Sequence, residues 1–360
     1  MDLKLLEKLE KRRKEGTIRS LSLSKLNIDF FSNDYLGFAQ DGFSTNEELN
    51  SRGATGSRLL SGNSEEALSC ESFLAKHFNV DSSLVFNSGY SANLSLLSTI
   101  PQRGDTILYD ELVHASIREG ILLSFAKAIS FNHNDLSDLE AKLKLASGSV
   151  YVVIESLYSM NGDISPLIEI AKKCSINNAF LIVDEAHSVG VFGKEGQGLM
   201  QELNLESTIF ARVITFGKAY GFHGAAILGS KDLIDFLINF ARPFIYTTGL
   251  PPNDYKVIEN LANNKTIQIK QLALRSNIEF FRKGLYDKVR FPSALKSPIQ
   301  IIQTGSKEKT IELAEKMKEK GIYTKPIFSP TVPQGKECVR ICLHSFNTKE
   351  EIDFLKTIIV

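Results

Sequence analysis

Phe180-Leu-Ile-Val-Asp-Glu-Ala-His187 runs four apolar residues straight into an acid, with a histidine three positions further on. A strand with one wet face alternates apolar and polar residues, so an unbroken run of this length fits a strand covered on both sides by helices. Val150-Tyr-Val-Val-Ile-Glu155 reads the same way and also ends in an acid. Working outward from these runs, which predict strands at 179–184 and 150–155, further strands are expected at 84–87, 106–109, 212–216 and 225–228. Longer stretches of helical period fall between them, and that alternation predicts a largely parallel α/β sheet between about residues 80 and 230. Residues 256–287 then turn helical and charged, as a link between domains does. A strand at 299–303, a helix at 307–320, a proline-containing stretch at 326–333, a strand at 339–343 and a final amphipathic helix predict a smaller α+β domain. The expected division is an N-terminal arm over 1–45, a large domain over 46–263 and a small C-terminal domain over 264–360.

A chain of 360 residues is longer than one ordinary core supports, which agrees with that division. Its 42 basic and 42 acidic residues cancel, so binding to nucleic acid or membrane through bulk charge is not indicated. Leu3, Leu5, Leu6 and Leu9 are set among lysines and glutamates, which is unlike the apolar block of a secretory signal. No stretch approaches the roughly 18 apolar residues of a spanning helix, and a cytoplasmic protein is expected. Cys70, Cys174, Cys338 and Cys342 form neither a disulfide framework nor a C-x-x-C metal pair; they read as reduced packing residues, and no metal site is expected.

Polar and ionisable residues collect at the carboxyl ends of the expected strands, where ligands bind in open α/β sheets. Ser88, Gly89 and Tyr90 follow the first, Asp110 and His114 the second, Glu155 and Ser159 the third, Asp184 and His187 the fourth, and Thr215 and Lys218 the fifth. Lys218 lies in Thr215-Phe-Gly-Lys-Ala-Tyr-Gly221, directly after an apolar strand. Taken alone, such a lysine is a surface loop residue. Asp184, at the end of its own apolar strand, changes the reading. Pyridoxal 5′-phosphate (PLP) requires such a pair: a lysine to hold it as a Schiff base, and a carboxylate for the pyridine nitrogen, because the ring withdraws electrons only while that nitrogen stays protonated. A structural N-cap remains the alternative for Asp184. It is also the alternative for Ser88, whose place ahead of a helical segment would otherwise suit a phosphate. Asp184-Glu-Ala-His187 also spells the magnesium-holding box of some helicases. That chemistry needs a G-x-x-x-x-G-K-[ST] loop, and the Gly-Lys pairs at 193–194, 217–218 and 335–336 lack both the earlier glycine and the hydroxyl.

Taken together, several motifs resemble the α-oxoamine synthases, a family of PLP-dependent enzymes. They are Ser32-Asn-Asp-Tyr-Leu-Gly37, Gly53-Ala-Thr-Gly-Ser-Arg58, Ser88-Gly-Tyr90, Glu111-Leu-Val-His-Ala-Ser116, Ser159-Met-Asn-Gly-Asp163, Val183-Asp-Glu-Ala-His187 and Thr215-Phe-Gly-Lys218. Phe240-Ala-Arg-Pro-Phe-Ile-Tyr-Thr-Thr248 with Pro251-Pro252, and Pro330-Thr-Val-Pro-Gln-Gly335 leading to Val339-Arg-Ile-Cys-Leu343, look like the branch that makes 8-amino-7-oxononanoate for biotin. The resemblance implies PLP-dependent transferase fold type I, the aspartate-aminotransferase-like α/β fold: a large domain with a mostly parallel sheet and a smaller α+β C-terminal domain. It also implies a homodimer with its active site at the subunit interface. The implied reaction is decarboxylative condensation of L-alanine with a pimeloyl thioester, carried by coenzyme A or acyl carrier protein. Glycine C-acetyltransferase, serine palmitoyltransferase and 5-aminolevulinate synthase share this chemistry and stay open as alternatives.

Position by position, the resemblance implies that Lys218 holds the cofactor and later serves as acid and base at the amino-acid α-carbon. Asp184 would pair with the pyridine nitrogen, His187 would hydrogen-bond the ring oxygen, and His114 would stack on the ring face. Ser88, Gly89 and Tyr90 would line the phosphate or ring, Ser159 and Thr215 would add polar contacts, and Thr247 and Thr248 would reach a phosphate across the interface. Arg340 would bind the amino-acid carboxylate, a task suited to a bidentate guanidinium, with a structural ion pair as the alternative. Arg19, Asn33 and Thr331 would contact substrate.

Overall fold

The computed structural model describes residues 2–14, 18, 21, 27–41, 52–285, 289, 291–329 and 331–360. Arg19, a predicted substrate contact, lies outside the described residues, as do Pro330 and Asp287. The strands are β1 (Ile28–Asp29), β2 (Ser82–Phe86), β3 (Thr106–Asp110), β4 (Lys127–Phe131), β5 (Val150–Glu155), β6 (Phe180–Asp184), β7 (Ala211–Thr215), β8 (Ala225–Gly229), β9 (Ile299–Gln303), β10 (Ile322–Tyr323), β11 (Lys325–Ile327) and β12 (Cys338–Cys342).

Seven of these form the large sheet, in the order β2-β8-β7-β6-β5-β3-β4. Neighbours from β4 to β7 are parallel, whereas β8 runs antiparallel to both β7 and β2. Successive side chains of a strand point to opposite faces, and here both faces are buried. Ile182 and Val183 belong to different hydrophobic clusters, as do Val153 and Ile154, and Val213 and Ile214. That is why these runs carry no polar alternation. The edge strand β4 escapes the pattern: in Lys127-Ala-Ile-Ser-Phe131 only Phe131 is fully buried, so no unbroken apolar run marks it in the sequence. The expected helical link at 256–287 is two helices, Pro252–Ala262 and Ile267–Arg282.

The parallel register brings the acids together at one edge. Glu155 pairs with Asp184 across β5 and β6, and Asp184 pairs with Val213 on β7. Lys218 falls in the turn that reverses β7 into β8, closed by Phe222 N–H to the Phe216 carbonyl at 2.8 Å and Gly221 N–H to the Lys218 carbonyl at 2.8 Å. Gly221 has φ +62°, and a Cβ there would come within 2.2 Å of the Ala39 backbone nitrogen. Only glycine lets this turn press against the segment that follows Gly37.

The second sheet is antiparallel, β11-β12-β9, with the helices Ile267–Arg282, Lys307–Glu319 and Lys349–Ile359 in the same C-terminal part of the chain. The segment from β1 to Gly37 joins the two sheets. β1 pairs in parallel with β10, Cys342 N–H donates to the Phe30 carbonyl at 2.9 Å, and Ser345 N–H donates to the Tyr35 carbonyl at 2.9 Å. All four cysteines are free and buried. Among the described residues no helix is long and apolar enough to cross a membrane, and no cluster of metal-ligating side chains is found.

Two polar clusters brace the edge of the large sheet. Arg212 and Glu185, both almost fully buried, form an ion pair with Nε to Oε2 at 2.7 Å, and Arg212 also donates to the Gln197 carbonyl at 2.6 Å. His133 lies between Asp110 and Asp163, at 2.9 Å and 2.5 Å, and ties the ends of β3 and β4 to the turn that bears Ser159. Its pKa is pushed up to about 10, because the two carboxylates outweigh the desolvation that opposes them. An unfolded histidine titrates near 6.5. The stabilisation is therefore complete below about pH 6.5 and is lost as pH rises through about 10. His133→Gln is expected to destabilise the protein by roughly 2 kcal/mol at neutral pH, and to remove that alkaline decline from denaturation curves measured between pH 6 and 10. An unchanged slope would show that the clamp is not charged.

Candidate active site

Glu155 and Asp184 end neighbouring strands in register and Lys218 follows β7 on the same edge; Lys218 feels the charges of both acids and of Arg340, and His114 and His187 feel that of Lys218, which gathers the six around one place. Lys218 is only partly exposed, and its pKa is lowered to about 8. Desolvation is the main cause; attraction to Asp184 and Glu155 opposes it, and Arg340 adds to it. Thr215 at the end of β7 donates its hydroxyl to the Gly224 carbonyl at 3.0 Å and accepts the Gly217 N–H at 3.3 Å, which shapes the turn below the lysine.

Asp184 is buried, and each of its carboxylate oxygens takes a bond. Oδ1 accepts the Ala186 N–H at 2.8 Å and Oδ2 accepts the Asn93 side-chain N–H at 2.7 Å. Glu155, its neighbour in register, accepts the His114 backbone N–H at 2.6 Å. Burial, and then repulsion from Asp184, push the Glu155 pKa up to about 8. The two imidazoles are both drawn toward the neutral form. His187 is buried, with Nδ1 at 2.8 Å from the Tyr35 hydroxyl, and its pKa falls well below the usual value through burial and the charges of Lys218 and Arg340. His114 caps the helix Ala115–Leu123, with its Nδ1 accepting the Ser116 N–H at 3.2 Å; desolvation lowers its pKa against the pull of Asp184.

Arg340 on β12 reaches the same cleft from the small sheet. It donates to the Ser159 carbonyl at 2.8 Å, to Asn33 Oδ1 at 3.0 Å and to Cys342 Sγ at 3.0 Å. None of these partners is an acid, and among the described residues no ion pair to it is found. The structural ion pair that was the alternative for this arginine is absent from its described contacts. Ser159 sits on a turn that is closed by Gly162, whose N–H donates to the Tyr158 carbonyl at 2.9 Å: Gly162 has φ +68°, and a Cβ there would lie 2.2 Å from the Ile299 carbonyl oxygen. The turn is thus pressed on β9.

Ser88 caps the helix Gly89–Thr99, accepting the Ser91 N–H at 3.2 Å. The N-cap alternative is what the structure shows; with the Ser91 N–H taken by Ser88, the Gly89 and Tyr90 N–H groups have no partner within the helix. Gly89 lies opposite Thr215, whose Cβ would be 3.9 Å from a Cβ on the glycine. Tyr90 is exposed, and Thr247 is exposed beside Asn87 and Ser91 in a small cleft. Thr331 is on the lip of a cavity of about 480 Å³ between the small sheet and the segments 111–118 and 158–161. Neither Thr331 nor Thr247 is joined to the central group by a described contact. Asn93, Tyr35, Ser116 and Cys342 belong to the site but carried no assignment in the sequence reading. Asn93 stands one helical turn after Gly89, the signal that would have found it.

These residues fit PLP. A buried carboxylate with its donors in place suits a pyridinium, an amine whose pKa is lowered to about 8 suits an aldehyde, and the first-turn N–H groups ahead of Ser91 suit a phosphate. The sequence profile of the family described as Aminotransferase class I and II matches residues 27–357. An 8-amino-7-oxononanoate synthase of Emericella nidulans is 40% identical, over 98% of this chain and 93% of that protein. Among solved structures, a serine palmitoyltransferase variant from S. paucimobilis with bound PLP-myriocin aldimine superposes with a TM-score of 0.86 at 25% identity, covering 100% of this chain and 98% of that one. An 8-amino-7-oxononanoate synthase from Francisella tularensis gives 0.79 at 32% identity, covering 93% and 97%. The chain belongs to the class I and II aminotransferase family, as a PLP-dependent transferase of the α-oxoamine synthase type with fold type I.

Proposed function

We propose that this α-oxoamine synthase condenses L-alanine with a pimeloyl thioester, releasing carbon dioxide, the carrier thiol and 8-amino-7-oxononanoate. The observation that carries the amino-acid half is Arg340: a buried guanidinium whose acceptors among the described residues are all neutral supports a carboxylate ligand. Asn33, bonded to Arg340, and Tyr35, bonded to His187, would hold that end of the cleft. PLP, when bound, supplies an electron-withdrawing ring that stabilises the electron pair left at the α-carbon. Asp184 would keep the pyridine nitrogen protonated, and His187 would meet the ring oxygen. Lys218 Nζ would take the α-proton and return it after carbon dioxide leaves, a task for which an amine near pKa 8 is well matched.

For the acyl half, the cavity near Thr331 offers apolar walls from Leu112, Tyr158, Met160, Ile301 and Val332. Arg118 and Lys336 also line it, with Glu111 the one opposing acid. Two cations beside an apolar wall favour an acyl chain that ends in a carboxylate. The 40% identity to the Emericella protein across nearly the whole chain supports the same pair. A second reading, serine with a long-chain acyl thioester, is favoured by the superposition on serine palmitoyltransferase. A homodimer with Thr247 near its partner's phosphate site is part of the proposal.

A panel of alanine, glycine and serine against acetyl, pimeloyl and palmitoyl thioesters, scored by thiol release, separates these readings. Alanine with pimeloyl is expected to be fastest; serine with palmitoyl would establish the second reading. Borohydride reduction of the loaded protein should place the pyridoxyl label on Lys218, and a label elsewhere would remove it from the chemistry. In cofactor-free protein, acylation of Lys218 should be half-maximal near pH 8, and Asp184→Asn should move that midpoint lower, because the acid holds the proton on. Arg340→Ala should raise the KM for the amino acid about 100-fold with a smaller change in kcat, and Arg340→Lys should restore only part of it. An unchanged KM would sever Arg340 from the substrate.

A further inference from the structure

Asn93 lies one turn into the helix Gly89–Thr99 and is 3% exposed. Its side-chain nitrogen is 2.7 Å from Asp184 Oδ2 and 3.0 Å from Ser116 Oγ. An ionised carboxylate accepts and never donates, so the amide nitrogen, not its oxygen, must face Asp184. The two N–H groups of one amide are then spent on two partners. Because Ser116 receives a bond from Asn93, its own O–H is free to turn to His114 Nδ1, 2.8 Å away. The Ser116 backbone N–H points at the same nitrogen at 3.2 Å. With two donors aimed at it, Nδ1 must be the unprotonated nitrogen, and the ring's proton sits on Nε2.

We propose that Asn93 is a positioning residue that sets two cofactor contacts at once: it orients the Asp184 carboxylate, and through Ser116 it fixes the tautomer of His114. The proposal rests on the assignment of Asp184 and His114 as cofactor contacts. Asp184 would then meet the cofactor's ring nitrogen as an anchored anion, and His114 would meet the ring as a neutral imidazole with a defined proton. Without the amide, nothing directs the Ser116 O–H to Nδ1, and the Ser116 backbone N–H is left as the single hold on that nitrogen.

The test begins with cofactor-free protein labelled with ¹⁵N-histidine. In the parent protein, His114 Nδ1 should show the resonance of an acceptor nitrogen and Nε2 that of a protonated one. Asn93→Leu, which keeps the volume and removes both donors, should shift His114 toward mixed tautomers. Ser116→Ala leaves the Asn93 to Asp184 bond in place; it should loosen the tautomer while PLP affinity stays within about twofold, as expected when the carboxylate contact survives. In loaded Asn93→Leu, the pH midpoint of the cofactor's visible band should move by about one unit, and kcat should fall about tenfold with little change in amino-acid KM. A parent-like histidine spectrum in both variants, or an unmoved midpoint in Asn93→Leu, would reduce Asn93 to a packing residue and overturn the proposal. Should Asn93→Leu fail to fold, Asn93→Ser, whose side chain is too short to bond both partners, is read by the same two measurements. Borohydride mapping of the parent protein separates the two levels: a label away from Lys218 would fell the functional reading, whereas the tautomer result stands on the protein itself.

Discussion

A carboxylate buried at the end of a strand is tolerable only where donors and cations meet it, and the cleft is organised around meeting Asp184. Two N–H groups, from Asn93 and Ala186, occupy its oxygens, and the Lys218 amine is drawn to it. The neighbouring Glu155 cannot readily hold a second charge in the same field, and its pKa climbs to about 8. His114 and His187 are pushed to neutrality by desolvation and by the cations around them. The result is an anion at the sheet edge, cations at the turn and on the small sheet, and two imidazoles held toward the neutral form.

The second constraint is that this cleft is assembled from three separated stretches of chain. The large sheet supplies Asp184 and Lys218, the small sheet supplies Arg340, and the segment around Tyr35 is bonded to both. Tyr35 contacts His187, while Asn33 contacts Arg340. The segment is itself pinned by backbone bonds from Cys342 and Ser345. Arg340 is therefore placed by pairing on β12 and by Asn33, with Gly162 allowing the Ser159 turn to approach closely enough for its carbonyl to accept from the guanidinium.

Much of the central sheet was legible because a strand buried on both faces advertises itself as an unbroken apolar run. β5 matches the expected bounds, as does β9 in the small sheet, and β6 and β7 differ from them by one residue at an end or a shift of one. β4 was not legible, since an edge strand such as Lys127-Ala-Ile-Ser-Phe131 needs few apolar residues. The direction of β8 was not legible either, because composition alone does not reveal whether a chain crosses over or doubles back. Within the site, residues at strand ends could be named from their position. Ser116 could not, and Asn93 only by counting one turn on from Gly89, because a buried amide or hydroxyl acquires meaning only from the partners that folding brings beside it.

The reversal of β7 into β8 has a consequence for how this protein can vary. Lys218 sits inside a closed turn between two strands that are both interior to the sheet, each flanked on its other side. Adding or deleting a single residue there could not be absorbed at a free margin; it would slide one interior strand against its neighbours and invert which face each of its side chains occupies. Length variation among descendants of this chain should therefore be scarce between residues 216 and 224, and should gather instead around the outer strands β2 and β4, where among the described residues one side of the ladder has no neighbour to disturb.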